Sequence, residues 1–256
     1  MKVVAGIDGS PAAEAAITWA AAEAASLGAE LDLVHASPPP PDPSAQHIVS
    51  TAIALARQLQ PGITVDGWSE TGSPSTALVK ASGDARVVVI GSRGLGLMLG
   101  ALIGSTGLDL AANAWCPVAV VRPDLNQAGR RVVIGYDGSP ASDTALDFGL
   151  DYARRHDHAV RVVAAQPPGT ELHRITETEL QDAVRQRGGH DAELIQITGH
   201  PAEHLLRLAA DASLIVLGAR GRGGFAGMLL GSVSQTVLHH ADCPMVIIPT
   251  ATTTGG

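Results

Sequence analysis

Two glycine-rich segments in this chain have the spacing of an anion cradle. They are Gly91-x2-Gly94-x9-Gly104-Ser105 and Gly218-x2-Gly221-x9-Gly231-Ser232. Each opens where an aliphatic run ends (Val88-Val89-Ile90 and Ile215-Val216-Leu217) and closes where a helix is expected to start. Gly91 and Gly94, like Gly218 and Gly221, are expected to take positive φ and to let backbone approach an anion without Cβ interference. Gly104-Ser105 and Gly231-Ser232 would then present free main-chain N–H groups, a helix dipole and a hydroxyl donor to negative charge. Phosphate groups suit such a cradle. One copy alone could be loop punctuation; two copies in register, each after a strand and before a helix, favour the cradle.

Two further residue types belong to this chemistry. Asp8 and Asp137 follow short apolar runs whose Gly6-Ile7 and Gly135-Tyr136 lead into Asp-Gly-Ser-Pro. A carboxylate at a strand end can accept a ribose hydroxyl; the alternative is capping of the helix that begins at Ser10 or Ser139. Arg93 and Arg220 lie inside the cradle loops, where a guanidinium reaches phosphate oxygens or else pairs with a carboxylate or solvent.

The elements that position these residues repeat. The segment around Asp8 recurs around Asp137, a shift of 129 residues, whereas Gly91 recurs at Gly218 and Cys116-Pro117 at Cys243-Pro244, a shift of 127. A loop near residues 38–43 is the expected site of the length change. Repetition over this span is duplication of a whole domain. We place the domains at 1–124 and 130–250, with a polar connection at 124–130 and a tail at 251–256. Each copy alternates strand and helix. In the first, strands are expected at 2–7, 31–36, 65–70, 86–90 and 118–122, and helices at 10–27, 44–60, 73–82 and 104–114. Apolar strands alternating with helices predict an α/β fold with a parallel, doubly wound sheet and right-handed crossovers.

Composition agrees. Hydrophobic residues make up 45% of the 256 and aromatics only 3%, which suits aliphatic strands buried on both faces. A net charge of −8 and a pI near 5.6 disfavour a phosphate-backbone partner, so no nucleic acid is expected. No apolar stretch is long enough to cross a bilayer, so no membrane partner is expected either, and the chain begins without a signal-peptide pattern, giving a cytoplasmic expectation. Cys116 and Cys243 do not form a disulfide framework. Neighbouring His239 and His240 point about 100° apart on a helix and make poor joint ligands, so no metal held by side chains is expected. Trp19, Trp68 and Trp115 are expected to be packing residues, and His35, whose counterpart is Ala164, carries no shared catalytic role.

The Asp-Gly-Ser strand end, the Gly-x2-Gly-x9-Gly-Ser signature and the closing Cys-Pro strand together resemble the universal stress protein family, twice over and across essentially the whole chain. The resemblance implies, for each copy, a Rossmann-like five-stranded parallel sheet of order 3-2-1-4-5. It also implies ATP or a related adenine nucleotide at the strand ends, with Mg2+ as its companion ion. Adenine would meet backbone at Ala36 and Ala165. Asp8 and Asp137 would take the ribose, beside Ile7 and Tyr136. Phosphates would fall to Gly91, Gly94, Gly104, Ser105 and Thr106, and to Gly218, Gly221, Gly231, Ser232, Val233 and Ser234. The second copy keeps the family's hydroxyl at Ser234, where the first has Gly107 with Thr106 beside it. The resemblance further implies pairing of domains through their last strands (118–122 and Met245–Ile248), within the chain and again in a homodimer. No Gly-Lys-Ser/Thr or protein-kinase motif is present. Binding is therefore favoured over catalysis, with slow ATP hydrolysis or autophosphorylation as the alternative.

Overall fold

The computed structural model describes residues 1–92, 104–123, 129–166, 175–222 and 229–250. The chain divides into two compact units, Met1–Asp124 and Leu125–Gly256. In the first unit the order is β1 (Lys2–Ile7), α1 (Pro11–Leu27), β2 (Glu30–Ser37), α2 (Ala45–Leu59), β3 (Val65–Thr71), α3 (Pro74–Ala81), β4 (Ala85–Gly91), α4 (Ser105–Asn113) and β5 (Val118–Val121). In the second it is β6 (Arg131–Gly135), α5 (Pro140–His156), β7 (Ala159–Gln166), α6 (Glu177–Gln186), β8 (Glu193–Thr198), α7 (Pro201–Ala209), β9 (Leu214–Gly218), α8 (Ser232–His240) and β10 (Met245–Ile248).

Within the first unit the strands lie in the order β3-β2-β1-β4-β5, and within the second β8-β7-β6-β9-β10. All these neighbours pair in parallel. This is the doubly wound order the sequence leads to. Its direction reverses between β1 and β4, and between β6 and β9, which opens a crevice at the carboxyl edge.

Local signals account for the first helix of each unit. Ser10 is the N-cap of α1 and accepts the Ala13 N–H at 3.2 Å, Pro11 takes the first turn, and Gly28 ends the helix in the left-handed conformation at φ 59°. Ser139 and Pro140 repeat the start, with the Ser142 N–H donating to Ser139 Oγ at 3.3 Å; here Asp157, at φ 54°, takes the left-handed end. A missing cap of this kind costs about 1 kcal/mol. The cores are aliphatic: Val3, Val4, Ala5, Leu31, Leu33 and Val87–89 in one unit, Val132–133, Ile134 and Leu214–Leu217 in the other, all buried.

The pairings also locate the change in repeat spacing. Ser37 pairs with Thr71, and Gln166 with Thr198. The shift is therefore still 129 at the end of the second strand and has become 127 at the end of the third. The intervening helices differ too, at 15 residues in α2 and 10 in α6.

Trp19 is buried, but Trp115 is 60% and Trp68 37% exposed, which corrects the packing role expected of those two. Trp115 follows the end of α4, where only its main chain is fixed, its N–H donating to Ser82 Oγ at 2.9 Å. Cys116 and Cys243 are buried and outside any disulfide, and burial pushes the Cys116 thiol up to about 12. Among the described residues no helix is long and apolar enough to cross a membrane.

The glycines that end β4 and β9 are not turn formers. The positive-φ glycines among the described residues are Gly9, Gly28, Gly138, Gly188 and Gly199; Gly91, Gly218 and Gly221 are not among them, which corrects the positive φ expected there. A Cβ on Gly91 would stand 2.6 Å from the carbonyl carbon and oxygen of Ala12, and one on Gly218 would stand 2.9 Å from the Ala141 Cβ. Both glycines exist so that a strand end can touch the first turn of α1 or α5. Overpacking of this sort costs about 1–3 kcal/mol, so Gly91→Ala is expected to lower the unfolding free energy by that amount, read as a lower urea midpoint. Gly218→Ala should cost less. Gly62→Ala, where a Cβ meets nothing within 4 Å, should leave the midpoint unchanged. Equal midpoints for Gly91→Ala and Gly62→Ala would refute this packing role.

Candidate functional site

In the first unit a cavity of about 150 Å³ lies at the carboxyl edge, where β1 and β4 part. Its walls come from six places in the sequence, one of them the start of α1 with Ser10 and Ala13. The end of β1 gives Gly6, Ile7 and Asp8; the end of β2 gives Val34 and Ala36; β4 gives Ile90, Gly91 and Ser92. The start of α3 contributes Pro74 and Leu78, and the start of α4 contributes Gly104, Thr106 and Gly107. Seven of the expected residues therefore converge: Gly6, Ile7, Asp8, Ala36, Gly91, Gly104 and Thr106. Ser105 is exposed at the first position of α4. Arg93 and Gly94 lie outside the described residues.

Each wall has a local cause. Asp8 stays at the strand end because its Oδ1 accepts the Ser10 N–H at 3.0 Å, so the carboxylate braces the start of α1 while still lining the cavity. Gly104 is the N-cap of α4, at φ −75° and ψ 167°. Among the described residues a Cβ there would meet nothing within 4 Å. The N–H groups that follow have no partners within the helix and carry its partial positive charge.

Leu78 is the residue that sequence reasoning missed. Gly6 is glycine because a Cβ would come within 2.8 Å of the Leu78 Cδ1. At Gly135 it is Leu217 that a Cβ would collide with, while Leu205 of α7, the repeat counterpart of Leu78 at a shift of 127 residues, lies 3.7 Å away. Ser92, buried beside Gly91, is a second omission; alanine replaces it at position 219.

In the second unit the same frame holds different chemistry. Asp137 Oδ1 accepts the N–H of Ser139 at 3.0 Å and its hydroxyl at 2.6 Å, and Oδ2 accepts the main-chain N–H of Arg222 at 2.8 Å. This carboxylate ties the end of β6 to the loop after β9. It also explains Gly221, where any Cβ would collide with Asp137 Oδ2. Gly231 caps α8 at φ −70° and ψ 155°, and its N–H donates to the Ala219 carbonyl at 2.8 Å, holding the helix start against the strand end. Ser232 is exposed and Val233 half-buried at the first turn. Ala165 lies near the end of β7 and is half-buried. The Nε of Arg220 is buried and has no hydrogen-bond partner among the described residues.

Two expected contacts are placed elsewhere. The Ser234 hydroxyl is buried and donates inward to the Gly218 carbonyl at 2.7 Å, because the third residue of α8 falls on the helix face that packs on the sheet. The Tyr136 hydroxyl turns to α5 and donates to Asp143 Oδ1 at 3.2 Å; Arg187 donates to the same oxygen at 3.1 Å. Burial, and then the Asp143 carboxylate, push the Tyr136 phenol up to about 12. His35 is likewise occupied, its Nδ1 lying 2.8 Å from Ser69 Oγ.

Each unit is thus a doubly wound α/β domain whose glycine-bearing strand ends face the start of a helix at the topological switch point, the place where such folds hold ligands. A model of the Universal stress protein family matches residues 1–122 and again 129–249. The chain belongs to that family, in tandem form. It is 33% identical over 284 residues to universal stress protein Rv2005c of Mycobacterium tuberculosis, covering 96% of each chain. It is also 33% identical over 282 residues to a universal stress protein of Mycolicibacterium smegmatis, again over 96% of each. Among solved structures, a universal stress protein from Archaeoglobus fulgidus superposes with a TM-score of 0.73 at 19% identity, covering 97% of this chain and 98% of that one; this likeness concerns the fold.

The Tyr136 phenol has a measurable consequence. The unfolded phenol loses its proton near 10.0 and the folded one near 12, so unfolding releases a proton in that window. Stability from this group is complete below about pH 10 and falls as pH rises towards 12. Denaturant midpoints should decline more steeply across this window for the native protein than for Tyr136→Phe. Parallel declines would show that Tyr136 is not the group involved.

Proposed function

We propose that this protein is a nucleotide-binding regulatory member of the stress response, holding ATP or a related adenine nucleotide at the strand ends of each unit. The observation that carries the proposal is the open space at Gly104 beside the strand-end cavity. Among the described residues neither turn geometry nor a neighbouring atom requires glycine there, which supports a ligand as the partner that does.

The residues fit an adenine nucleotide. A cavity of about 150 Å³ is smaller than the roughly 300–1,000 Å³ of a whole small-molecule site, so its walls would hold one end of the nucleotide. Val34, Leu78 and Ile90 supply apolar surface for a base, with main chain at Ala36 for its polar edge. Asp8 and Asp137 would accept ribose hydroxyls. The first-turn N–H groups at Gly104–Thr106 and Gly231–Val233 would meet phosphate oxygens, and so would Arg93, Gly94 and Arg220. When bound, Mg2+ would neutralise phosphate charge. Asp8 and Asp137 accept main-chain amides, which holds both carboxylates at the strand ends. The names of the relatives support a role in stress.

Nucleotide released by denaturing the purified protein, identified by mass and counted per chain, tests this reading. An adenine nucleotide at up to two per chain is expected. In calorimetric titration Gly104→Val should abolish ATP binding at the first unit while costing no more than about 1 kcal/mol of stability, the usual scale of a cap change. A protein that carries no nucleotide and gives no heat with Mg-ATP would overturn the proposal.

A further inference from the structure

Two arginines flank Gly221 in the second unit, where the first unit has one. The sequence is Arg220-Gly221-Arg222 against Arg93-Gly94-Leu95. Arg222 is exposed, yet its guanidinium lies against the Gly138 turn. Its Cζ lies 3.3 Å, and one terminal nitrogen 3.4 Å, from the position a Cβ on Gly138 would take. The side chain is therefore folded back over the Asp137-Gly138-Ser139 turn. Its main-chain N–H anchors it there by donating to Asp137 Oδ2.

The Glu179 carboxylate attracts Arg222 through space but does not bond to it. Among the described residues no hydrogen bond or ion pair holds the Arg222 guanidinium. The neighbouring carboxylates have closer donors. Asp137 takes the amides of Ser139 and Arg222 together with the Ser139 hydroxyl. Glu179 takes the N–H and hydroxyl of Thr176, each at 2.8 Å, in the capping box of α6. On the other side of Gly221 the buried Arg220 Nε also lacks an acceptor among the described residues. Two cationic groups with unmet donor capacity thus lie one residue apart, beside the start of α8, in a protein of net charge −8.

We propose that Arg222 is a specificity-determining residue of the second unit, selecting adenine nucleotides with two or three phosphates over monophosphates. This rests on the nucleotide reading above. The ligand chemistry is a chain of phosphates. The inner phosphate would lie at the N–H groups of α8, and an outer one would meet the guanidinium that spans the β6–α5 turn. Leu95 occupies the corresponding sequence position in the first unit, so that unit lacks the same discrimination.

Calorimetric titration of the full chain carrying Gly104→Val, so that the second unit alone reports, tests this with ATP and AMP as probes. Adding Arg222→Leu should weaken ATP about tenfold, the scale of one charge-assisted hydrogen bond, and change AMP less than twofold. Arg222→Lys should recover part of the ATP affinity. Equal losses for ATP and AMP, or no loss for either, would overturn the specificity role while leaving the nucleotide reading intact. If the Gly104→Val parent binds neither nucleotide while keeping its unfolding midpoint, the nucleotide reading fails for this unit and the specificity role with it.

Discussion

The contact on which the site depends is between a strand end and the first turn of a helix. At Gly91 against Ala12, and at Gly218 against Ala141, backbone meets helix at a distance that excludes a Cβ. This approach sets the Asp-Gly-Ser turn beside the loop that leaves the fourth strand of each unit. In the second unit the two are then close enough for Asp137 to accept the Arg222 amide. In the first the same closeness gives the cavity its Asp8 and Gly91 walls. A single side chain larger than hydrogen at either strand end would separate the parts from which the site is built.

Much of this was legible in the sequence because it is written in local signals. Ser10-Pro11 and Ser139-Pro140 start helices through short-range hydrogen bonds, and unbroken aliphatic runs such as Val87–Val89 announce strands buried on both faces. Strand–helix alternation announces a parallel doubly wound sheet, and the order 3-2-1-4-5 is what the family resemblance implies. The strand-end convergence of Gly6, Asp8, Ala36, Gly91, Gly104 and Thr106 follows from that topology alone.

What was not legible depends on distances between elements. Glycine is the same letter whether it turns a chain, admits a ligand or admits a helix. Gly91 proves to be the third kind, whereas among the described residues a Cβ at Gly104 has free space. Ser234 reads as a ligand hydroxyl until its helix face is known, and that face places it against the Gly218 carbonyl. Tyr136 occupies the position of Ile7, yet its hydroxyl is drawn away by Asp143, a partner seven residues off whose orientation only the folded helix fixes. Arg222 carries no local signature at all; its significance lies in folding back over Gly138.

The two units therefore share a frame and differ at corresponding sequence positions: Ile7 against Tyr136, Ser92 against Ala219, Gly107 against Ser234, Leu95 against Arg222. Duplication kept the backbone contacts that hold the strand ends together and let these positions diverge. The central claim, that main-chain amides at the starts of α4 and α8 face the phosphates of a nucleotide, is tested most directly by a crystal structure grown with a non-hydrolysable Mg-ATP analogue. Phosphate density within hydrogen-bond distance of the amides at Ser105–Thr106 and Ser232–Val233 is predicted. Well-ordered strand ends with no nucleotide density, or nucleotide bound away from the Gly104 and Gly231 helix starts, would contradict it.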